Sequence, residues 1–132
     1  MSLLTPELRA ALREQFRSDA TDKRPLVKLF HPLSAATWLA SELAEDGDAL
    51  FGLADLGFGC PELGWFSLSE IEALHLPFGM RIERDLNFAT NLSLTDWAAW
   101  PRKAGSILWA EALIRRASDT ASLSADRFPP SG

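Results

Sequence analysis

The stretch RIERDLNF, residues 81–88, puts Arg81, Glu83 and Asp85 at period two, on one face of an extended strand. Two carboxylates spaced this way can serve as acid and base in a groove of a sheet, with His31 or His75 brought in by the fold. The same spacing also describes an exposed strand whose alternating charges discourage pairing at its edge. Arg84 stands apart, on the apolar face with Met80, Ile82, Leu86 and Phe88. Such an arginine must reach a carboxylate or a carbonyl, or lie at the rim of the core with its stem buried, and Asp55 and Glu62 are candidate partners.

A second stretch, GLADLGFGCPELGW, runs from Gly52 to Trp65 and mimics a phosphate loop. A dinucleotide fingerprint needs a third glycine and a following helix whose amides face the pyrophosphate. Here Glu62 stands in place of that glycine and an extended pattern follows, so Gly57 and Gly59 are read as a hairpin or bulge. Cys60 has Pro61 and Glu62 beside it rather than a cation, which makes it a poor nucleophile and a small hydrophobe. Two histidines and one cysteine without paired spacing do not compose a metal site, and no cofactor is expected.

The elements that must position these residues belong to one domain. With 132 residues, 47% of them apolar, five Trp and eight Phe, the chain can bury a core without disulfides or metal. Its apolar runs are shorter than a membrane span, the N-terminus lacks the apolar stretch of a signal peptide, and the single cysteine fits a reducing compartment; a cytoplasmic protein without membrane attachment is expected. Charge is unevenly placed within the net −5: no Lys or Arg falls between Leu29 and Met80, where Glu42, Glu45, Asp46, Asp48, Asp55, Glu62, Glu70 and Glu72 lie. The flanks are basic, through Arg9, Arg13, Arg17, Lys23, Arg24 and Lys28 before and Arg102, Lys103, Arg115 and Arg116 after. Direct nucleic-acid binding needs clustered cations and is not expected of the middle segment.

Thr5, Pro6 and Glu7 start a helix to about Arg17, with Leu8, Ala11, Leu12 and Phe16 at helical spacing. Strands are expected over LVKLFH, ATWLASEL, ALFGLADLG, ELGWFSL and MRIERDLNF, with Trp38 and Leu39 on opposite faces and Asp46-Gly47 as a two-residue hairpin. A capping box, Ser67 to Glu70 or Ser69 to Glu72, opens a short helix over SEIEALH. From Leu94 the pattern turns helical, breaks at Pro101 and resumes from about Lys103 to Ala117, before a tail over 119–132 read as disordered. The expected fold is thus α+β: a single domain with roughly five mainly antiparallel strands, an N-terminal helix, a short helix after the fourth strand and a C-terminal helical extension. Residues 1–90 form the core and 91–118 the extension packed on it.

VKLFHP, ATWLASEL, LFGLADLGFGCPELGWFSLSEIEAL and IERDLNF, in this order, resemble the bacterial domain-of-unknown-function family 2958. The likeness covers about Leu26 to Phe88, with a typical helix in LLTPELRAALR, and leaves the segment from Asn91 onward outside it. It implies an accessory role on plasmids and other mobile elements and supplies no catalytic residues. Two function classes follow. One is a small non-catalytic protein that binds another protein through an acidic, aromatic-containing surface, with Asp46, Asp48, Glu62, Arg81 and Arg84 as contacts. Leu108 and Trp109, left over from the apolar face of the last helix, would form a patch for a second copy in a homodimer. The other is a hydrolase or transferase using Glu83 and Asp85, helped by His31.

Overall fold

The structure, a computed structural model, describes residues 2–57, 61–104 and 107. An N-terminal helix α1 (Pro6–Arg17) is followed by strands β1 (Val27–Phe30), β2 (Thr37–Leu43), β3 (Ala49–Asp55) and β4 (Glu62–Ser67). A short helix α2 (Leu68–Glu72), a single 3-10 turn (Pro77–Gly79), strand β5 (Glu83–Arg84) and helix α3 (Leu94–Ala104) complete the described elements. The five strands make one antiparallel sheet in the order β4-β3-β2-β1-β5. An α+β domain with an antiparallel sheet is therefore what the chain folds into, as its strand-turn-strand spacing implies.

Each face of the sheet carries its own apolar cluster. On one side Val27, Leu29, Trp38, Ala40, Leu43 and Leu50 pack with Leu12 of α1 and with Leu68 and Ile71 of α2. On the other, Leu39 and Leu53 pack with Leu94, Trp97 and Ala98 of α3 and with Ile107. Trp38 and Leu39 do lie on opposite faces, as strand alternation requires. Helix α1 starts where expected, the Thr5 hydroxyl accepting the Leu8 N–H at 3.1 Å. Of the two capping alternatives the fold uses the first, the Ser67 hydroxyl accepting the Glu70 N–H at 3.2 Å, and α2 is shorter than expected, ending at Glu72.

Three local expectations are corrected. The long strand over residues 80–88 reduces to Glu83–Arg84, because Asp85 closes a turn: its side chain accepts the Asn87 N–H at 2.9 Å and its carbonyl the Phe88 N–H at 3.4 Å. The alternation therefore fails past the turn, and Leu86 is exposed rather than buried. The β2–β3 connection is not a two-residue hairpin. Ala44 and Ala49 are joined by a hydrogen bond across it, the Ala44 carbonyl accepts the Gly47 N–H, and Gly47 takes φ +75°, which glycine adopts at no steric cost. Helix α3, finally, runs on through Pro101 to Ala104 rather than breaking there, although proline has no N–H to donate.

At Gly52 the backbones of β2 and β3 come together so closely that a Cβ would sit 1.7 Å from the Leu39 carbonyl oxygen, whereas one at Gly64 would meet nothing within 4 Å among the described residues. Gly52→Ala should therefore lower the stability of the domain by roughly 3 kcal/mol or more, or prevent folding. Gly64→Ala should be neutral or stabilise by up to about 1 kcal/mol, since glycine in a strand carries an entropic cost. Thermal unfolding followed by circular dichroism checks both, and equal midpoints for the two variants would contradict the close approach.

Candidate functional site

An open cleft of about 570 Å³ lies at the β1–β5 side of the sheet, with Lys28, His31, Thr37, Glu83 and Asp85 among its lining residues. Register explains the gathering. Phe30 pairs with Glu83 and Leu29 with Arg84, so Glu83 shares a face with Phe30, and Asp85, whose N–H bonds to the Lys28 carbonyl, shares one with Lys28. The fold thus brings the candidate catalytic residues Glu83, Asp85 and His31 to one cleft. Lys28, which the sequence offers only as part of the basic N-terminal flank, is buried there with its Nζ 3.7 Å from an Asp85 carboxylate oxygen.

Most of these groups already have structural work. One Asp85 oxygen serves the turn at Asn87 and the other faces Lys28. The His31 Nδ1 accepts the Leu33 N–H at 3.0 Å, which places the proton of a neutral ring on Nε2. Glu83 is exposed at the rim. Arg81 turns away, its Nη1 donating to the Glu72 carbonyl at 2.9 Å. Arg84 meets neither Asp55 nor Glu62, because its strand lies at the opposite edge of the sheet from β4 with β1 and β2 between it and β3; its Nε donates instead to the Leu3 carbonyl at 2.8 Å. Asp55, fully buried, accepts the backbone N–H groups of Gly57 and Ile107, each at 2.9 Å. Those amides replace the water that a buried carboxylate loses.

The acidic candidates divide in the same way. In the β2–β3 loop, Asp46 Oδ1 accepts the N–H groups of Asp48 and Ala49, and Asp48 accepts the Ser67 hydroxyl at 2.6 Å and the Ser69 N–H at 2.7 Å. Both are therefore fasteners, one of the loop and one of the β4–α2 junction. The basic N-terminal flank folds back on the middle: Arg17 grips Glu45 with Nε and Nη2 at 2.6 and 2.8 Å, and Lys23 Nζ lies 2.6 Å from Glu42. Glu62 and Glu70 are exposed, and neither enters an ion pair among the described residues.

Glu62 opens β4, which is the other edge of the sheet; among the described residues the strand pairs with β3 alone. Leu63 and Trp65 project from one face of β4 and are 43% and 54% exposed. The Trp65 ring is nevertheless held, edge-to-face, by Phe51 of β3 at 5.2 Å and by Phe16 of α1 at 6.1 Å between centroids. Elsewhere Phe78, 92% exposed with φ +63°, marks the turn between α2 and β5 as a strained tip. Trp97 is core, 3% exposed, its Nε1 donating to the Thr90 hydroxyl at 3.1 Å. Cys60, Gly59, Leu108 and Trp109, and with them the homodimer patch, lie outside the described residues. Among the described residues no group of three or more His, Cys, Asp or Glu could hold a metal ion, and no helix is long and apolar enough to cross a membrane.

Residues 3–108 match the model of a family described as a protein of unknown function, DUF2958, and the chain belongs to that family. The match extends past the Leu26–Phe88 stretch on which the resemblance rests and takes in α3, so Trp97 and its packing on the sheet fall within the family's span. No curated protein and no solved structure matches the chain.

The Asp48 carboxyl is held below its ordinary value of 3.8, first by the Ser67 hydroxyl and then by the Ser69 N–H; Asp46 is lowered by the Ala49 and Asp48 amides. A group lowered in the folded state stabilises above its unfolded value and loses that contribution as the pH falls through the folded one. The gap in unfolding temperature between wild type and Asp48→Asn should therefore be constant above about pH 5 and close as the pH drops below about 4. A gap unchanged to pH 2 would show that the carboxylate is not what fastens the β4–α2 junction.

Proposed function

We propose that this chain is a small non-catalytic interaction protein that binds another protein through the β4 edge. The observation that carries the reading is Trp65: a large aromatic side chain, half exposed, packed edge-to-face against two other rings, and standing on a strand that pairs on one side only among the described residues. A ring already fixed in its rotamer loses little freedom when a partner covers it, which is why rigid aromatic residues dominate binding energy at interfaces. An open strand edge adds backbone hydrogen bonds to that anchor, and together they make a site for an added strand. Glu62 keeps its place among the acidic contacts of this surface, whereas Asp46 and Asp48 act within the chain's own loop.

A second reading, a hydrolase or transferase, draws on one observation, that Glu83, Asp85 and His31 line a common cleft. It is the weaker of the two because Asp85 and the His31 Nδ1 are already engaged in turns, which leaves Glu83 without a partnered base.

A photo-activatable residue in place of Leu63 tests the first reading in living cells. It should capture a discrete partner band that disappears when Trp65→Ala is added, while the same residue at Leu33, an exposed position in the β1–β2 connection, should capture none. Equal capture from both positions, or capture indifferent to Trp65→Ala, would contradict it.

A further inference from the structure

We infer that the segment received by β4 is an extended, basic strand: a stretch of partner chain with alternating apolar residues and with Lys or Arg near its ends. The inference rests on the reading of β4 as a binding edge and adds the chemistry of what binds there.

The argument is one of charge around an open edge. From Leu29 to Met80 the chain contains no Lys or Arg, and β3, β4, α2 and their connections all lie within that span. The cations that fold back toward this region are engaged at the β2–β3 loop, on β2 and at the end of α2: Arg17 on Glu45, Arg9 on the Gly47 carbonyl with Arg13 beside the same loop, Lys23 on Glu42 and Arg81 on the Glu72 carbonyl; among the described residues none of them pairs with Glu62 or Glu70. Carboxylates remain at both ends of β4. Glu62 begins the strand and Glu70 stands in α2 just past its end, whereas Asp48 is engaged by Ser67 and Ser69 within the chain. An approaching segment thus meets negative charge at either end and, between them, the apolar surface of Leu63 and Trp65.

Two features of the edge select the segment's shape. Gly64 leaves open space on the face opposite Trp65, since a Cβ there would meet no atom of the described residues within 4 Å, so a partner side chain can lie across it. A β4 edge hydrogen-bonds only to a backbone that is itself extended and retains its N–H groups, which excludes proline at the bonding positions. A second copy of this chain is a poor occupant. Antiparallel pairing of β4 with β4 about its centre would set Glu62 of one copy against the Ser67 and Glu70 end of the other, and among the described residues neither Glu62 nor Glu70 has an ion-pair partner to offset that approach.

The test uses a phage-displayed library of random nine-residue peptides panned on the full chain, with enriched peptides resynthesised and titrated at low and high salt. Peptides rich in Lys and Arg, alternating with apolar residues and lacking central proline, are expected; they should shift the β4 backbone amide resonances and weaken as salt rises. The variant Glu62→Lys with Glu70→Lys should bind them roughly tenfold or more weakly, and Trp65→Ala more weakly still. Equal unfolding midpoints for the charge variant and wild type separate lost attraction from lost fold. Peptides that map to β4 without a bias toward Lys and Arg, or whose binding ignores the charge reversal, would overturn the basic-strand inference and leave the binding edge standing. Enriched peptides that map away from β4, or no enrichment at all, would overturn both. Self-association in sedimentation with β4 amides shielded would replace the basic segment with a second copy.

Discussion

The close approach of β2 and β3 at Gly52 is the constraint from which the binding edge follows. No side chain fits between that residue and the Leu39 carbonyl, and the register records the consequence: Ala40 pairs with Gly52 but Glu42 with Phe51, so Ser41 is an extra residue bulged out of the ladder. The bulge reverses the alternation of the strand beyond it. Trp38, Ala40 and Leu43 all reach the same cluster, although plain alternation would send Leu43 to the other face. The Ser41 carbonyl, freed from the ladder, accepts the Gln15 Nε2–H at 2.6 Å, and the same amide group donates to the Arg24 carbonyl at 3.1 Å. Gln15 thereby ties the end of α1 to the bulge, and the next residue, Phe16, comes to rest against Trp65.

This chain of contacts gives the acidic middle of the sequence a different meaning from the one its composition implies. Much of the negative charge is answered within the fold, by Arg17, by Lys23 and by the amides that Asp46, Asp48 and Asp55 accept. Exposed pairs such as Arg17–Glu45 add little stability, since water and salt screen them and two long side chains must be ordered. Their effect on the surface is larger. By spending the nearby cations on the loop end of β2 and β3 they leave Glu62 and Glu70 to set the field around β4.

Much of the fold is legible in the sequence. Thr5 and Ser67 announce their helices through side chains able to hold a free amide, and four of the five strands carry the residues that pleated, half-buried backbone favours. The fifth is misread because alternation in MRIERDLNF continues through Asp85, and only an aspartate's capacity to bond two residues ahead warns that the strand ends there. The bulge has no local signature beyond Gly52 itself. The candidate sites are less legible. Glu83, Asp85 and His31 are close in space for reasons of register that no short motif carries, and Lys28 reads as an ordinary strand residue until Asp85 is found beside it. Trp65 is visible as a residue in an alternating strand, yet its exposure depends on which strand ends the sheet, and that is a property of topology. The reach of Arg84 fails for the same reason, since strand order, not sequence distance, decides which carboxylates lie near it.

Amide hydrogen exchange along β4 in the isolated full chain, read residue by residue by NMR, tests most directly whether this edge is open. An open edge gives an alternating record from Glu62 to Ser67, with the amides that bond to β3 protected and those between them exchanging at rates close to those of an unstructured chain. Uniform protection along the strand would mean that the chain already covers its own edge, and the account of β4 as a binding site would be wrong.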